Sequence, residues 1–250
     1  MMLLVEKQRQ AKKIRPKDKG LATQPNPTQS SLSSLKVIIT MLSLSKWIRP
    51  GLQVAGKRYM SFSFAGPRTL NEIMKKEMVE DKKGNEVSDI WFSYHDSKDG
   101  VIGMSLKGSD GTKIVDRARS CPFFVHPIFR DDGFFNLISQ FQGPSHFLMA
   151  YLEDYKMDPH SATPLITFSV FNDYAKSKDV SLVRCDILNE GINGDEGRRV
   201  VEGILEHYRN DDDFVSVETF NHRPSEFDFD DHVSRMNDRW KNEQGTVNME

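Results

Sequence analysis

The chain of 250 residues is long enough for one or two domains, and its two cysteines are too few for a disulfide framework or a zinc site. Its charge is unevenly divided: residues 1–70 hold 13 Lys and Arg against 2 acids, a net charge of +11, and residues 71–250 hold 21 against 34, a net charge of −13. The acidic part argues against nucleic-acid binding, which needs clustered basic residues on the folded domain.

The basic segment, residues 1–66, is predicted to be disordered and to contain a mitochondrial transit peptide. From Met41, a candidate functional start, the chain reads MLSLSKWIRPGLQVAGKRYMSFS, with apolar residues at helical spacing and no acids. Arg58-Tyr59-Met60-Ser61 in this stretch resembles a matrix-processing site. These features predict a protein of the mitochondrial matrix; the alternative is a plain disordered basic tail. No apolar run approaches the roughly 20 residues of a transmembrane helix, so no membrane insertion is expected.

A folded domain is expected over residues 67–240, and residues 241–250 are expected to form a disordered tail. Its first part is predicted to be mainly helical, starting with Thr69 as an N-cap. The first helix would place Ile73, Met74 and Met78 on one face. The predicted helices cover 69–81, 86–95 and 111–119, and a short strand lies at 101–106.

The periodicity then changes to short aromatic-rich runs joined by hairpin-length turns, which predicts antiparallel strands. Further helices are predicted near 172–177 and at 196–209, and a short C-terminal helix is predicted after Pro224, with Glu226 in its first turn. The predicted strands cover 122–129, 134–141, 145–152, 165–171, 180–188 and 214–220. This order predicts an α+β fold: a single domain with a mainly antiparallel sheet of about six strands, flanked by helices and covered on one side.

Aromatic residues are more frequent in these strands than alternation requires. Both faces are apolar in PFFVHPIF (122–129) and in LITFSVF (165–171). Two readings remain open at this point. The strands are buried on both faces, or one face of the sheet is left open to receive an apolar partner surface.

Catalytic and metal-binding patterns are weak. The chain contains no GxSxG, Walker A, GxGxxG, HExxH or CxxC motif, so no cofactor and no metal are expected. Cys121 and His126 are a conceivable thiol–imidazole pair. They lie five residues apart in one extended run, which places them on opposite faces of a strand.

The most specific motif is VETFNHRPSEFDF at residues 217–229. Together with RARSCPFFVHPI (117–128) and GFFNLISQFQGPSHFLMAYL (133–152), it resembles the mitochondrial F1-ATPase assembly factor 1 family. The resemblance extends over residues 69–239 and excludes the N-terminal 60 or so residues. The motif residues that match are Thr219, Phe220, Asn221, Arg223, Pro224, Glu226 and Phe227.

The resemblance implies a monomeric chaperone of the mitochondrial matrix. It would bind the unassembled beta subunit of F1-ATPase until the alpha subunit displaces it, without a cofactor or a catalytic step. The motif could contact this partner or form a strand-to-helix corner, with Arg223 tied to neighbouring acids and Asn221 bonded to its own backbone. Two rivals remain: a small-molecule-binding or thiol-dependent enzyme using an apolar sheet pocket near Cys121 and His126, and a structural subunit of a mitochondrial complex.

Overall fold

The structure, a computed structural model, describes residues 67–130 and 133–247, with side chains described as far as residue 242. The basic segment 1–66, with its predicted transit peptide and processing site, lies outside the described residues. Six strands form one sheet in the order β1-β6-β5-β4-β3-β2, and every neighbouring pair is antiparallel. The strands are β1 (Val101–Lys107), β2 (Phe123–Arg130), β3 (Gly133–Gln142), β4 (His146–Tyr151), β5 (Pro164–Phe171) and β6 (Val180–Ile187).

Helices pack on both faces of this sheet. They are α1 (Leu70–Ile73), a 3-10 helix (Lys76–Val79), α2 (Gly84–Asp96), α3 (Gly108–Ser120), α4 (Leu152–Met157), α5 (Ala175–Lys178), α6 (Gly194–Arg209), α7 (Asp211–His222) and α8 (Phe229–Val247). The predicted α+β class with an antiparallel six-stranded sheet flanked by helices is therefore confirmed.

The main core lies on the front face of the sheet, which carries Phe124, Phe147 and Phe168. Helices α3, α6, α7 and α8 cover this face, and their apolar side chains join the strand residues in one buried cluster. Phe147 stacks on Phe168 with ring centroids 4.4 Å apart, and Tyr208 of α6 packs against Phe147. Burial of these large rings supplies much of the driving force that joins the helices to the sheet.

The opposite, back face is also covered, so the expected one-sided arrangement is wrong. A second buried cluster joins α1 and α2 to Phe171 and Leu182 of the sheet. Trp91 of α2 also donates a hydrogen bond to the backbone oxygen of Val183 at 2.9 Å. All eight residues of β5 are buried. The apolar residues at both parities of LITFSVF thus reflect a strand buried on both faces.

The predicted strand 214–220 is wrong, because these residues belong to α7. The side chain of Asn210 accepts hydrogen bonds from the amides of Asp212 and Asp213 and so caps the helix. Aspartates occupy the first turn, where the helix dipole favours negative charge. Val217 and Phe220 are buried three residues apart, which is a helical and not a strand spacing. The strand propensity of FVSVETF is overridden by this cap and by packing.

The first predicted helix, 69–81, is divided into two short pieces. Thr69 and Glu72 form a capping box at the start of α1, with the Thr69 amide 2.6 Å from the Glu72 carboxylate. Met74 is extended, with φ −134° and ψ 134°, and ends the helix. Met78 is 73% exposed and therefore does not share the predicted apolar face.

The C-terminal helix is longer than the sequence suggested. It begins at Phe229, so Glu226 lies in the preceding loop and is not an acid of its first turn. Helix α8 continues to Val247, beyond the boundary predicted at residue 240. Within the described residues, no helix is both long enough and apolar enough to cross a membrane.

Candidate functional site

The predicted motif forms a corner between α7 and α8, beside the outer edge of β2. Phe220 and Phe227 are buried there with ring centroids 5.1 Å apart, and both pack against Phe124 of β2. Pro224 is half-buried in the loop. The motif is thus a helix-to-helix corner and not the strand-to-helix corner expected from the sequence.

Asn221 closes the edge of β2 at one position. Its side-chain amide donates to the backbone oxygen of Phe123 at 2.6 Å and to that of Val217 at 2.8 Å, and its side-chain oxygen accepts from the Phe123 amide at 3.0 Å. This side chain therefore takes the place of a neighbouring strand for one residue of β2. Asn221 thus bonds the backbone of its own helix at Val217 and also a strand that is distant in sequence.

The next positions along the same edge are also closed. The Phe141 amide donates to Pro122 O, so alternation along β2 directs the backbone of Phe123, Val125 and Pro127 away from β3. His232 of α8 donates from Nε2 to the backbone oxygen of Val125 at 3.1 Å. Pro127 has no amide hydrogen to offer. Together with Asn221, these residues protect the edge of β2 against pairing with another chain.

Sequence reasoning missed the role of His232. It lies 107 residues from Val125 in the chain, and only the packing of α8 brings the two together. Pro127 was an available signal, because a proline within a strand indicates an edge strand.

Two of the remaining motif residues, Arg223 and Glu226, are exposed. Arg223 contacts the Glu226 carboxylate at 3.0 Å, with the two side chains 50% and 58% exposed, and it lies 3.4 Å from the hydroxyl of Thr219. A solvent-exposed pair of this kind contributes about 0–1 kcal/mol to stability. The motif therefore combines two buried rings, Phe220 and Phe227, with half-buried Thr219 and Asn221 and an exposed pair, Arg223 and Glu226.

Cys121 does not pair with His126. Its sulfur lies 3.3 Å from Nε2 of His222, at the end of α7. Burial raises the pKa of the Cys121 thiol, which disfavours the thiolate that a nucleophile requires. Cys185 is also buried, and burial raises its pKa to about 12. Both cysteines are buried and so lack the accessibility of a reactive thiol.

His126 belongs instead to a group of three buried histidines, His126, His207 and His232, arranged around Phe124. The ring centroid of His207 lies 5.8 Å from that of His126 and 5.9 Å from that of His232. Burial lowers the pKa of all three, and lowers that of His232 to about 3. The group is therefore neutral near pH 7.

A cleft of about 290 Å³ lies beside His126, between α6 and α8. It is lined by His126, Arg199, Glu206, Met236, Arg239 and Trp240, among others, and does not include Cys121. The predicted apolar pocket that would hold both Cys121 and His126 is therefore not formed. No group of three or more His, Cys, Asp or Glu side chains within the described part of the chain is arranged to hold a metal ion.

Comparison with known proteins places this corner in a family context. A sequence model of a family described as "ATP11 protein" matches residues 5–233. The match begins well before Thr69, where the resemblance noted in the sequence analysis begins.

Curated relatives agree with this match. The chain is 27% identical over 166 residues to "ATP synthase mitochondrial F1 complex assembly factor 1" of Danio rerio, covering 66% of this chain and 54% of that protein. It is 28% identical over 176 residues to the Mus musculus protein of the same name, covering 70% and 54%. It is 24% identical over 144 residues to "Protein atp11, mitochondrial" of Schizosaccharomyces pombe (strain 972 / ATCC 24843), covering 56% and 50%.

The chain thus spans about half the length of the curated relatives it matches. The family match is much broader, since it extends from residue 5 to residue 233 of the 250. The protein therefore belongs to the ATP11 protein family.

Proposed function

We propose that the protein takes part in assembling the F1 part of mitochondrial ATP synthase. The observation that carries this proposal is the family match over residues 5–233, together with relatives that are named as mitochondrial F1 complex assembly factors. The basic segment before residue 67 supports a mitochondrial location, and its resemblance to a matrix-processing site favours the matrix.

The partner that we propose is the unassembled beta subunit of F1. A free subunit exposes the apolar interface that is meant for its neighbour, and such a surface promotes aggregation at micromolar concentration. A protein that covers this surface shifts the subunit away from aggregation by mass action. Its affinity must be lower than that of the alpha subunit, so that the alpha subunit can displace it without ATP.

The action proposed here is binding without catalysis. The buried thiols have raised pKa values, and Cys121 and His126 lie in separate places. The Cys121–His222 contact favours a thiol-dependent enzyme as a second candidate. Cys121→Ser should leave assembly activity intact if the protein only binds; loss of activity in a folded, abundant variant would favour the enzyme.

Two roles are proposed for the motif at residues 219–227. Phe220, Asn221 and Phe227 hold the corner against β2, as their burial and hydrogen bonds indicate. Arg223 and Glu226 are exposed and available to a partner. We propose that the exposed pair contributes to the partner surface, with Thr219 beside it.

A pull-down tests the proposed function. The full chain, carrying an affinity tag, is mixed with separately expressed F1 alpha and beta subunits. We expect retention of the beta subunit, release when the alpha subunit is added, and a single copy of the chain in the complex by light scattering. Retention of neither subunit contradicts the proposal. Retention of the tagged chain in the finished ATP synthase would favour a structural subunit instead.

A further inference from the structure

The outer edge of β1, at the opposite end of the sheet from β2, is open. The Ile187 amide donates to Gly100 O and the Gly108 amide donates to Asp179 O. Hydrogen-bonded positions alternate along an antiparallel strand, so the backbone amides and carbonyls of the even-numbered residues of β1 point toward β6. The backbone amide and carbonyl of Ser105 and the amide of Lys107 therefore point away from the sheet. Lys107 is also the N-cap residue of α3, so its carbonyl accepts the first bond of that helix. Among residues 67–130 and 133–247, nothing hydrogen-bonds to the outward amides of Ser105 and Lys107.

A cleft of about 320 Å³ runs along this edge. Phe92 of α2 lines it from the back face and is 37% exposed, although it is a large apolar side chain. Leu106 of β1, which is half-buried, lines it from the front face, with the buried Met104 and Leu205 behind it. The cleft thus offers apolar surface on both sides of an unpaired strand.

Charged residues of α6 form the rim of the cleft, and they are paired with one another. Arg198 lies 3.7 Å from Glu202, and Arg209 contacts Glu206. Two arginines and two glutamates give the rim no net charge. An occupant therefore needs no particular charge, and recognition depends on the backbone and on apolar side chains.

These features select an extended polypeptide as the occupant. A row of unpaired backbone donors and acceptors is matched by another strand, and alternate side chains of that strand would meet the two apolar walls. The edge of β2 is closed by Asn221, His232 and Pro127, whereas no side chain in the described part of the chain bonds the outward amides of Ser105 and Lys107. The difference between the two edges indicates that β1 is kept open for pairing.

We propose that an extended segment of the unassembled beta subunit adds to β1 as a further strand, with apolar side chains on both of its faces. This inference rests on the proposed function and specifies the surface that it uses. A second copy of this chain is a poorer occupant. Helices α2 and α6 flank the β1 edge in each copy, so the helices of one copy would meet those of the other as the two β1 strands approached.

Hydrogen exchange of the wild-type full chain, with and without the beta subunit, tests the pairing directly. We expect the amides of Ser105 and Lys107 to become protected when the subunit binds. The amides of Met104 and Leu106 already face β6, so their exchange should change much less. This alternating pattern distinguishes strand addition from general coverage of the surface.

Two pairs of variants test the contribution of the edge to affinity. Ser105→Pro removes the outward amide and obstructs pairing, while Ser105→Ala retains that amide. Because backbone bonds are lost, the proline variant should bind the beta subunit about tenfold more weakly, and the alanine variant should bind it normally. Phe92→Ala should weaken binding by a similar factor. Ile90→Ala is its control, because Ile90 is 40% exposed on the same helix but does not line the cleft. Thermal unfolding identifies any variant that has lost its fold.

The outcomes separate this inference from the proposed function. If the wild type binds the beta subunit, but the Ser105 and Lys107 amides stay unprotected and Phe92→Ala binds normally, strand addition is wrong and the proposed function stands. Protection of the same amides in the chain alone, with dimers by light scattering, would show a second copy as the occupant and overturn the inference. If the wild type binds no beta subunit, both proposals fail.

Discussion

Asn221 is the residue on which the corner between α7 and α8 depends most. Its side chain makes three hydrogen bonds, two of them to the backbone of Phe123. Asn221→Ala would leave an amide and a carbonyl of β2 without partners, and each unsatisfied group costs about 1–3 kcal/mol. We expect a loss of roughly 2–4 kcal/mol in the free energy of unfolding, measured by urea denaturation. A loss below about 1 kcal/mol would mean that water replaces the side chain at this edge.

Arg223, two residues further on, should behave differently. The sequence suggested that it ties the corner together, but Arg223 and its partner Glu226 are both exposed. Arg223→Ala should therefore change stability by no more than about 1 kcal/mol. If the exposed pair contacts the beta subunit as proposed, affinity should fall by roughly 1–2 kcal/mol.

Both quantities are to be measured on the same purified Arg223→Ala protein. Arg235→Ala is a suitable control, because Arg235 forms a comparable exposed pair with Asp231 on α8, outside the motif. A drop in melting temperature with unchanged affinity would assign Arg223 to the architecture of the corner.

At the scale of elements, the cap at Asn210 keeps residues 211–222 helical. Asn210→Ala removes the acceptor for the amides of Asp212 and Asp213 and should destabilise the protein by about 1 kcal/mol. Asn210→Ser retains a capping oxygen and should recover most of this loss. Equal stability of the alanine and serine variants would show that packing of Val217 and Phe220 is sufficient to form α7.

At the scale of the whole molecule, the group of three buried histidines around Phe124, with the buried His95 and His146, should make stability depend on pH. Their pKa values are lower in the folded protein than the unfolded value of 6.5. The unfolded chain therefore binds more protons, and the stability contribution present above pH 6.5 is lost as pH falls below it. For each histidine that stays neutral in the folded protein, the free energy of unfolding should fall by about 2 kcal/mol between pH 7.5 and pH 5.

Urea denaturation at pH 7.5 and at pH 5 measures this loss. His232→Gln, which retains a donor for Val125 O, should reduce the difference between the two pH values. His160→Gln, at an exposed position, should leave it unchanged. The charges of Asp213, Arg235 and Arg239 shift the pKa values of the buried histidines, so substitution of these residues should alter the difference in stability between the two pH values. Equal stability at both pH values would contradict the burial of neutral imidazoles.

The amino-acid sequence by itself determined the fold class, the positions of all six strands and the hairpins among them. Alternating or fully apolar runs separated by turn residues predict strands locally, without knowledge of their neighbours. The motif at 217–229, together with the other matching stretches, also identified the family, which the comparison confirmed.

Only the tertiary structure decided the state of residues 211–222, the covering of both sheet faces and the chemistry of the two sheet edges. The strand-forming residues of FVSVETF became helical through a cap at Asn210 and contacts with β2, which lies about 100 residues earlier. Asn221 reaches Phe123, His232 reaches Val125, and Cys121 meets His222 across similar separations. Contacts of this range depend on how helices dock on the sheet, and local periodicity contains no information about docking. The open edge of β1 is a property of the same kind, because a strand becomes an edge only when the whole sheet has been assembled.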